Sequence, residues 1–424
     1  MESQAHILIT TQSKEEVTIS TIKVVDSIMG SGKTSAAINL MNYDHENNYI
    51  FITPYLSEIE RVKKACTRRF YDPKITTVDG EKHTKFDSLH YLLINNKNIA
   101  STHALFKRAN EETKDLIHSG NYILILDEVM NVIEQLELKQ GDIDLLFKQK
   151  LIYEKDGYIH WNESQKDYDS RYNDIRDMAL NKNLIIHKGK ILIWTFPIEV
   201  FKAFKEVYIL TYLFDAQIQK YYYDMNNVKY EKYEAVEDRG FNYYTFRAKT
   251  DNTYEEQIKK EIKSKITIYQ GTLNNIGDPD YSLSKSWYTN KKDLLPKLKN
   301  NTENYFKNKV KAKSNQVMWT TFKQFQSKIK GRGYAKSFVP CNARATNEFK
   351  DRIHIAYTIN YFLNPIIEGF FNDKNVKINE DLYSVSDLLQ WVWRSGIREG
   401  NSITIYIPSK RMRGLLKQWL DNEL

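Results

Sequence analysis

The stretch that most restricts how this chain can fold is short. Lys23-Val24-Val25-Asp26 runs into Ser27-Ile28-Met29-Gly30-Ser31-Gly32-Lys33-Thr34. β-Branched residues lead into a turn of small residues, and the alanine-containing segment after Thr34 predicts a helix. Strand, glycine turn and helix in that order make a phosphate-binding loop. Gly30 and Gly32 let the backbone bend so that its N–H groups, Ser31 among them, approach phosphate oxygens. Lys33 then reaches the β- and γ-phosphates, and the Thr34 hydroxyl is placed to ligate Mg²⁺. The N-terminus of the following helix adds positive potential at the same spot. Ser27 stands where glycine or alanine is usual, six residues before the lysine.

A second apolar strand follows downstream. Tyr122-Ile123-Leu124-Ile125-Leu126 ends in Asp127-Glu128, 94 residues beyond Lys33. In nucleotide hydrolases such a strand lies beside that of the phosphate loop. Its first acid holds Mg²⁺ and its second orients or deprotonates the attacking water.

Between and beyond these two strands the pattern alternates. Strands are predicted at residues 49–53, 99–102, 191–197 and 207–212, and helices at 35–41, 56–70, 103–109 and 170–181. Strands alternating with helices over some 200 residues predict a parallel sheet covered on both faces. Residues 135–190 are more polar and are broken by Gly157 and Gly189, which predicts an insertion on this first domain. The tyrosine run Tyr221-Tyr222-Tyr223 and the polar stretch after it suit a boundary. The expected organisation is a first domain over 1–213 and a second over 214–424. Residues 1–22 are expected to form an edge strand or a packed arm.

The second part differs in charge. Residues 301–424 hold 20 Lys+Arg against 11 Asp+Glu, whereas the first 300 residues are nearly neutral. Residues 304–347 contain no acid but ten Lys+Arg, interleaved with Tyr305, Phe306, Trp319, Phe322, Phe325, Tyr334 and Phe338. Such a segment can track a phosphate backbone while exposed rings offer stacking faces, although most of these aromatics are expected in the core. At the C-terminal end, residues 388–398 predict an amphipathic helix carrying Arg394 and Arg398 four apart. A strand at 402–408 and a closing helix at 409–422 follow. Cys66 and Cys341 are isolated, so neither a zinc site nor a disulfide framework is indicated. With no run of 18 apolar residues and no signal-peptide pattern, the chain is expected to be soluble and cytoplasmic.

The order of these elements resembles that of superfamily 2 (DEAD/DEAH-like) helicases, most of all the compact helicases encoded by bacteriophages. Ser27 through Thr34 comes first, Thr53-Pro54 second, Ser101-Thr102-His103 third, Asp127-Glu128 fourth and Thr195-Phe196-Pro197 fifth. Gln390 through Arg398 resembles the glutamine-and-arginine motif that closes the second motor domain. Cys341-Asn342-Ala343-Arg344-Ala345-Thr346-Asn347 and Trp391-Val392-Trp393-Arg394-Ser395 add to the likeness. The resemblance implies an α/β fold of two RecA-like domains with ATP and Mg²⁺ between them. Lys33 would bind the phosphates, Thr34 and Asp127 the metal, and Glu128 would activate water. Gln390 would sense the γ-phosphate, and Arg394 or Arg398 would be the arginine finger. Thr195 would couple hydrolysis to domain movement. Thr53, Pro54, Tyr55, Thr102, His103, Trp319, Thr320, Arg344 and Asn347 would touch nucleic acid. Single-stranded or forked DNA is the expected partner, in phage DNA replication or recombination and in the host cytoplasm, with other replication or recombination proteins. The alternative is a P-loop ATPase switch or loader that acts on a protein partner without translocating. A packaging motor would carry clustered nuclease acids after residue 213, and the sequence has none.

Overall fold

The β-branched run before the glycine turn forms strand β1 (Thr21–Asp26) of a computed structural model that describes residues 21–78, 81–238, 243–341 and 348–424. Most of the expected N-terminal arm lies outside the described residues, as do Arg344 and Asn347. Along the chain, β2 (Asn48–Thr53) and β3 (Phe70–Tyr71) precede a two-stranded ribbon, β4 (Thr76–Val78) and β5 (Glu81–His83). β6 (Asn98–Thr102) and β7 (Tyr122–Asp127) return to the first sheet. β8 (Ile133–Gln135), β9 (Ile152–Lys155), β10 (Tyr158–Trp161), β11 (Leu184–His187) and β12 (Ile191–Thr195) build a separate sheet. β13 (Glu206–Thr211), β14 (Tyr230–Asp238) and β15 (Tyr243–Ala248) complete the first one.

The first sheet has eight strands in the order β15-β14-β1-β13-β7-β2-β6-β3. Only the β14–β15 pair is antiparallel. Its middle strands are apolar throughout because both faces are covered. Val25, Phe51, Ile125 and Leu210 pack on one side, and Val24, Ile50, Leu124 and Ile209 on the other. The helix Lys33–Tyr43 buries Ala37, Ile38 and Met41 against the first of these faces.

The expectation that residues 191–197 add a strand to the parallel sheet is corrected. β12 pairs antiparallel with β11 and with β8, in the order β8-β12-β11-β10-β9. The cause is the turn at Lys188-Gly189, where both residues have positive φ (51° and 66°) and Lys190 N–H donates to the His187 carbonyl. Two left-handed residues in succession make the hairpin turn that matches the strand twist. The insertion is therefore an all-antiparallel unit with its own small core of Ile159, Trp161, Leu184 and Leu192.

The second lobe holds four parallel strands: β16 (Ile266–Ile268), β17 (Val317–Thr320), β18 (His354–Tyr357) and β19 (Ile403–Tyr406), in the order β16-β19-β18-β17. The molecule thus has two RecA-like parallel-sheet lobes. The boundary expected at 214 does not coincide with the strand pairing, since β14 and β15 are hydrogen-bonded into the first sheet. The tyrosine run lies in the helix Ile218–Met225, and its rings are core.

Within the acid-free segment, Tyr305, Phe306, Trp319 and Tyr334 are buried in the second core, while Phe322, Phe325 and Phe338 pack at its edge. The helix expected over 388–398 is instead Glu380–Val392. It stops there because the Ser395 hydroxyl turns back onto the Val392 carbonyl at 2.7 Å and begins a separate short turn, Gly396–Glu399. Arg394 and Arg398 consequently do not share a helical face.

The lobes are joined by specific contacts. The Gln217 amide donates to Ser386 Oγ at 2.8 Å, Trp419 Nε1 to Tyr212 OH at 2.8 Å, and Asn379 N–H to Tyr221 OH at 2.9 Å. Ile367, Phe370 and Phe371 from the helix Pro365–Asp373 bury themselves in the first lobe's core. No helix of the described residues is long and apolar enough to cross a membrane.

Candidate nucleotide site

The site forms at the C-terminal ends of β1, β13, β7 and β2, which are neighbours in that order. After Asp26 the chain turns through Gly30 (φ 85°) and Gly32 (φ 83°), both left-handed and therefore suited to glycine. Ser27 is explained by its surroundings. Its N–H donates to the Thr211 carbonyl at 3.1 Å and its hydroxyl accepts from Ala235 N–H at 2.8 Å. Glycine or alanine would lose that tie to β14. Lys33 Nζ lies over the loop and donates to the carbonyls of Ser27 (2.5 Å) and Ile28 (3.0 Å). Burial pushes the Lys33 ammonium down to about 8, against the pull of Asp26, Asp127 and Glu128.

Asp127 closes β7 and is 9 % exposed. Its two oxygens accept from different hydroxyls, Thr34 Oγ1 at 3.2 Å and Thr53 Oγ1 at 3.3 Å. Burial, reinforced by the nearby Glu128 and Glu58 carboxylates, pushes it up to about 7. Glu128 has φ 69°, a conformation unusual for a residue with a Cβ. Its N–H donates to the Leu210 carbonyl at 2.9 Å, so β13 holds the backbone in that turn. Strain of this kind, where the surroundings over-determine it, clusters at functional positions. Thr34 and Asp127 offer hard oxygen donors 3.2 Å apart. That donor set fits Mg²⁺, which takes few protein ligands and keeps several waters.

Sequence reasoning overlooked several residues here. Thr211 pairs in register with Asp26, and Leu210 with Asp127, so β13 ends between the two acids. Thr195, chosen for coupling, is on β12 in the insertion sheet, where its N–H donates to the Asn183 carbonyl. Thr211 is likewise the last residue of its strand, Glu206–Thr211. Asp26 is buried, with Oδ2 accepting from Phe214 N–H at 3.1 Å. Its Oδ1 has no hydrogen-bond partner among the described residues, and burial raises its pKa. Tyr244 of β15 lies directly on the glycine turn, because a Cβ built on Gly32 would fall 2.2 Å from the ring. The strand is held there by Asn39 Nδ2, which donates to the Tyr244 carbonyl at 2.9 Å.

Across the cleft, Trp393 precedes the buried Arg394. Trp393 meets Trp419 edge-on at 6.2 Å, and Trp419 meets Tyr212 at 6.3 Å. Ile28 of the phosphate loop belongs to the second lobe's core cluster, so the glycine turn touches the lobe that carries the arginines. Arg398 is exposed and Gln390 half-buried.

The nucleic-acid candidates divide. Thr53, Trp319 and Thr320 are fully buried and His103 is 8 % exposed. Thr53 ends the interior strand β2, and Trp319 and Thr320 end β17 at the edge of the second sheet, so burial leaves these four residues little open surface. Trp319 packs edge-on against Tyr334 and Phe338. Thr102 caps the short helix His103–Phe106 through Leu105 N–H. Pro54, Tyr55 and Thr102 keep partly open surfaces. Arg344 and Asn347 lie outside the described residues.

Comparison with known proteins agrees with this architecture. An XPD structure in its apo form superposes with a TM-score of 0.50 at 10 % identity, covering 95 % of this chain and 96 % of that one. The Xpd4 structure from S. tokodaii gives 0.50 at 10 % identity, with 94 % of each chain covered. At that identity the likeness concerns the fold. The model of the YonV middle domain matches residues 133–194, which is the insertion sheet, and that of the YonV C-terminal Rossmann-like domain matches residues 260–420. Over 410 residues the chain is 48 % identical to the SPbeta prophage-derived uncharacterized protein YonV of Bacillus subtilis (strain 168), covering 95 % of this chain and 99 % of the relative. The chain belongs to the YonV family.

Proposed function

We propose that this protein is an ATP-dependent nucleic-acid motor, a helicase or translocase of superfamily 2, working through the cleft between its lobes. The observation that carries the reading is the convergence of Thr34, Asp127 and Thr53 beneath a left-handed glycine turn, with the second lobe packed against that turn through Ile28. Lys33 and the N–H groups of Gly30 through Thr34 bind the triphosphate. Thr34 and Asp127 hold Mg²⁺, which when bound neutralises charge on the β- and γ-phosphates. Glu128 takes a proton from the attacking water at a carboxylate oxygen. Gln390 orients the γ-phosphate end, and Arg394 or Arg398 stabilises the charge that develops there. Thr211, at a strand end between Asp26 and Asp127, suits the coupling role better than Thr195. Tyr244 forms a wall of the nucleotide site beside Gly32.

The division into lobes that we favour places the boundary between 249 and 265, after β15 and before β16. On the nucleic-acid side, Pro54, Tyr55 and Thr102 serve the first lobe, and the lysine-rich surface of residues 307–336 serves the second. The prophage origin of the relative supports a phage DNA replication or recombination role in a host cytoplasm.

The test is ATP turnover with and without single-stranded DNA. Turnover should rise with DNA and vanish in Lys33→Ala. If DNA leaves turnover unchanged while a replication or recombination protein raises it, the chain is a loader or switch and not a motor.

A further inference from the structure

A cavity of about 780 Å³ opens beside the N-terminal end of the second lobe's sheet. Ser314 and Asn315 line it as the chain enters β17, and Arg352 as it enters β18. This is the opposite end of β17 from Trp319 and Thr320, the strand-end residues that the fold buries.

The lining is one-sided in charge. Among the described residues Lys299, Lys330, Arg332, Lys336 and Arg352 contribute to it, against the single acid Glu348. Among the described residues no ion pair engages the side chains of Lys299, Lys330, Arg332 or Lys336. Arg352 pairs only with its chain neighbour Asp351, at 3.3 Å. That contact runs through the buried Nε and falls short of hydrogen-bond geometry. Cations gathered in one concavity raise the local positive potential and draw in an anion.

The shape selects among anions. The volume lies well within the range of ligand pockets and far exceeds what one phosphate fills. The loop Lys330-Gly331-Arg332-Gly333 alternates cations with glycines, and Gly333 is left-handed (φ 81°) with nothing within 4 Å of where a Cβ would stand. Backbone there can approach a ligand closely. Phe349 on the wall is half-buried, with the Arg352 guanidinium over its ring at 5.8 Å, which places an aromatic and a planar cation side by side in the lining. The exposed Lys311 and Lys313 lead to the mouth just before Ser314. Spaced cations, open backbone and an aromatic beside a planar cation suit a phosphodiester chain with bases attached.

The cavity is also tied to the arginine turn. The Arg352 carbonyl accepts from Gly396 N–H at 2.7 Å, and Lys350 pairs with Glu399 at 3.7 Å. A Cβ on Gly396 would lie 3.2 Å from that same carbonyl. The wall of the cavity and the turn that follows Arg394 are therefore joined directly through backbone.

We infer that this cavity holds the sugar–phosphate backbone of a single nucleic-acid strand and reports its occupancy to the arginine turn through Arg352. The inference rests on the nucleic-acid reading above. The experiment uses the full chain and a fluorescein-labelled single-stranded oligonucleotide, with affinity measured across a salt series and thermal melting as the fold check. Lys330→Ala/Arg332→Ala/Lys336→Ala should weaken binding at least about tenfold. It should also make the slope of log affinity against log salt shallower by about 2, as three lost phosphate contacts require. It should blunt the oligonucleotide's effect on ATP turnover. Lys330→Arg/Lys336→Arg should bind like the wild type. Lys148→Ala/Lys155→Ala/Lys166→Ala, an equal charge loss on the insertion, should leave affinity and slope unchanged. A cavity variant that melts normally and binds with wild-type affinity and slope overturns the inference, as does equal weakening by the insertion variant. In both cases the wild type still binds, and the motor reading stands. A wild-type protein that hydrolyses ATP but binds no oligonucleotide defeats the nucleic-acid reading itself and this site with it.

Discussion

At position 32 the backbone has φ 83°, and an added Cβ would fall 2.2 Å from Tyr244 Cδ1. Gly30 has nearly the same φ but nothing within 4 Å. The two glycines therefore separate conformational strain from steric contact. Gly30→Ala should cost about 1–2 kcal/mol, the ordinary penalty of a left-handed alanine. Gly32→Ala should cost more and should also weaken nucleotide binding, because the Tyr244 ring must move. Chemical denaturation and fluorescent-nucleotide titration of both variants check this; equal effects would mean that Tyr244 is no part of the site. Asp127 and Lys33 give opposite pH signatures. The Asp127 carboxyl rises from 3.8 to about 7 on folding, so the folded protein holds an extra proton between those values. Its stabilising contribution is full below pH about 4 and is lost as pH rises through 7. The Lys33 ammonium falls from 10.5 to about 8, so folding sheds a proton there and stability rises with pH across that window. Melting curves of the ligand-free protein should show both slopes, and Asp127→Asn should abolish the acidic one. Because a metal needs the ionised carboxylate, Mg²⁺-dependent nucleotide affinity should climb with pH up to about 7.

At the scale of elements, what could be read from sequence was what is local. The strand–turn–helix around Lys33 and the apolar strand ending at Asp127 each carry their signal within a few residues, and both elements form; the two strands were expected side by side, but β13 stands between them. β12 was misassigned because a short apolar run such as Ile191-Leu192-Ile193-Trp194 suits a buried strand of either sheet. Its antiparallel partner is decided by the left-handed Lys188-Gly189 turn, a weaker signal than Asn-Gly. The helix before Arg394 was placed too far along the chain, because apolar periodicity continues through Trp391 and Ile397, while it starts at Glu380 and a single Ser395 hydroxyl ends it. Trp319 shows the same limit. An aromatic among lysines fits nucleic-acid stacking by composition, yet its strand is covered on both faces. Trp319→Ala should therefore cost about 3–5 kcal/mol of stability, the usual penalty for emptying a core site. Urea unfolding together with oligonucleotide affinity separates the roles. A core residue changes the first; unchanged stability with weaker oligonucleotide binding would return Trp319 to the interface.

At the scale of the whole molecule, the two lobes meet at the end of β13. Tyr212 donates to Glu255 at 2.7 Å and accepts from Trp419 Nε1. Glu255 in turn pairs with Lys249 at 2.9 Å and Lys259 at 3.2 Å, and Lys259 lies 5.2 Å from the Trp419 ring. One hydroxyl thus links the strand end beside the candidate nucleotide site to the closing helix Lys410–Leu420 of the second lobe. Tyr212→Phe should cost about 1–2 kcal/mol from the lost hydrogen bonds and should reduce the response of ATP turnover to nucleic acid more than turnover itself. A variant that loses both in proportion would make Tyr212 a stability element only. The central claim, that nucleoside triphosphate is split between the lobes, is tested most directly by turnover at saturating ATP and single-stranded DNA for the wild type, Arg394→Lys and Arg398→Ala. Nucleotide binding should survive in all three, and one of the two variants should lose at least about tenfold in turnover, as removal of an arginine finger does. If both variants turn over ATP as fast as the wild type, the second lobe takes no part in the reaction and the account is wrong.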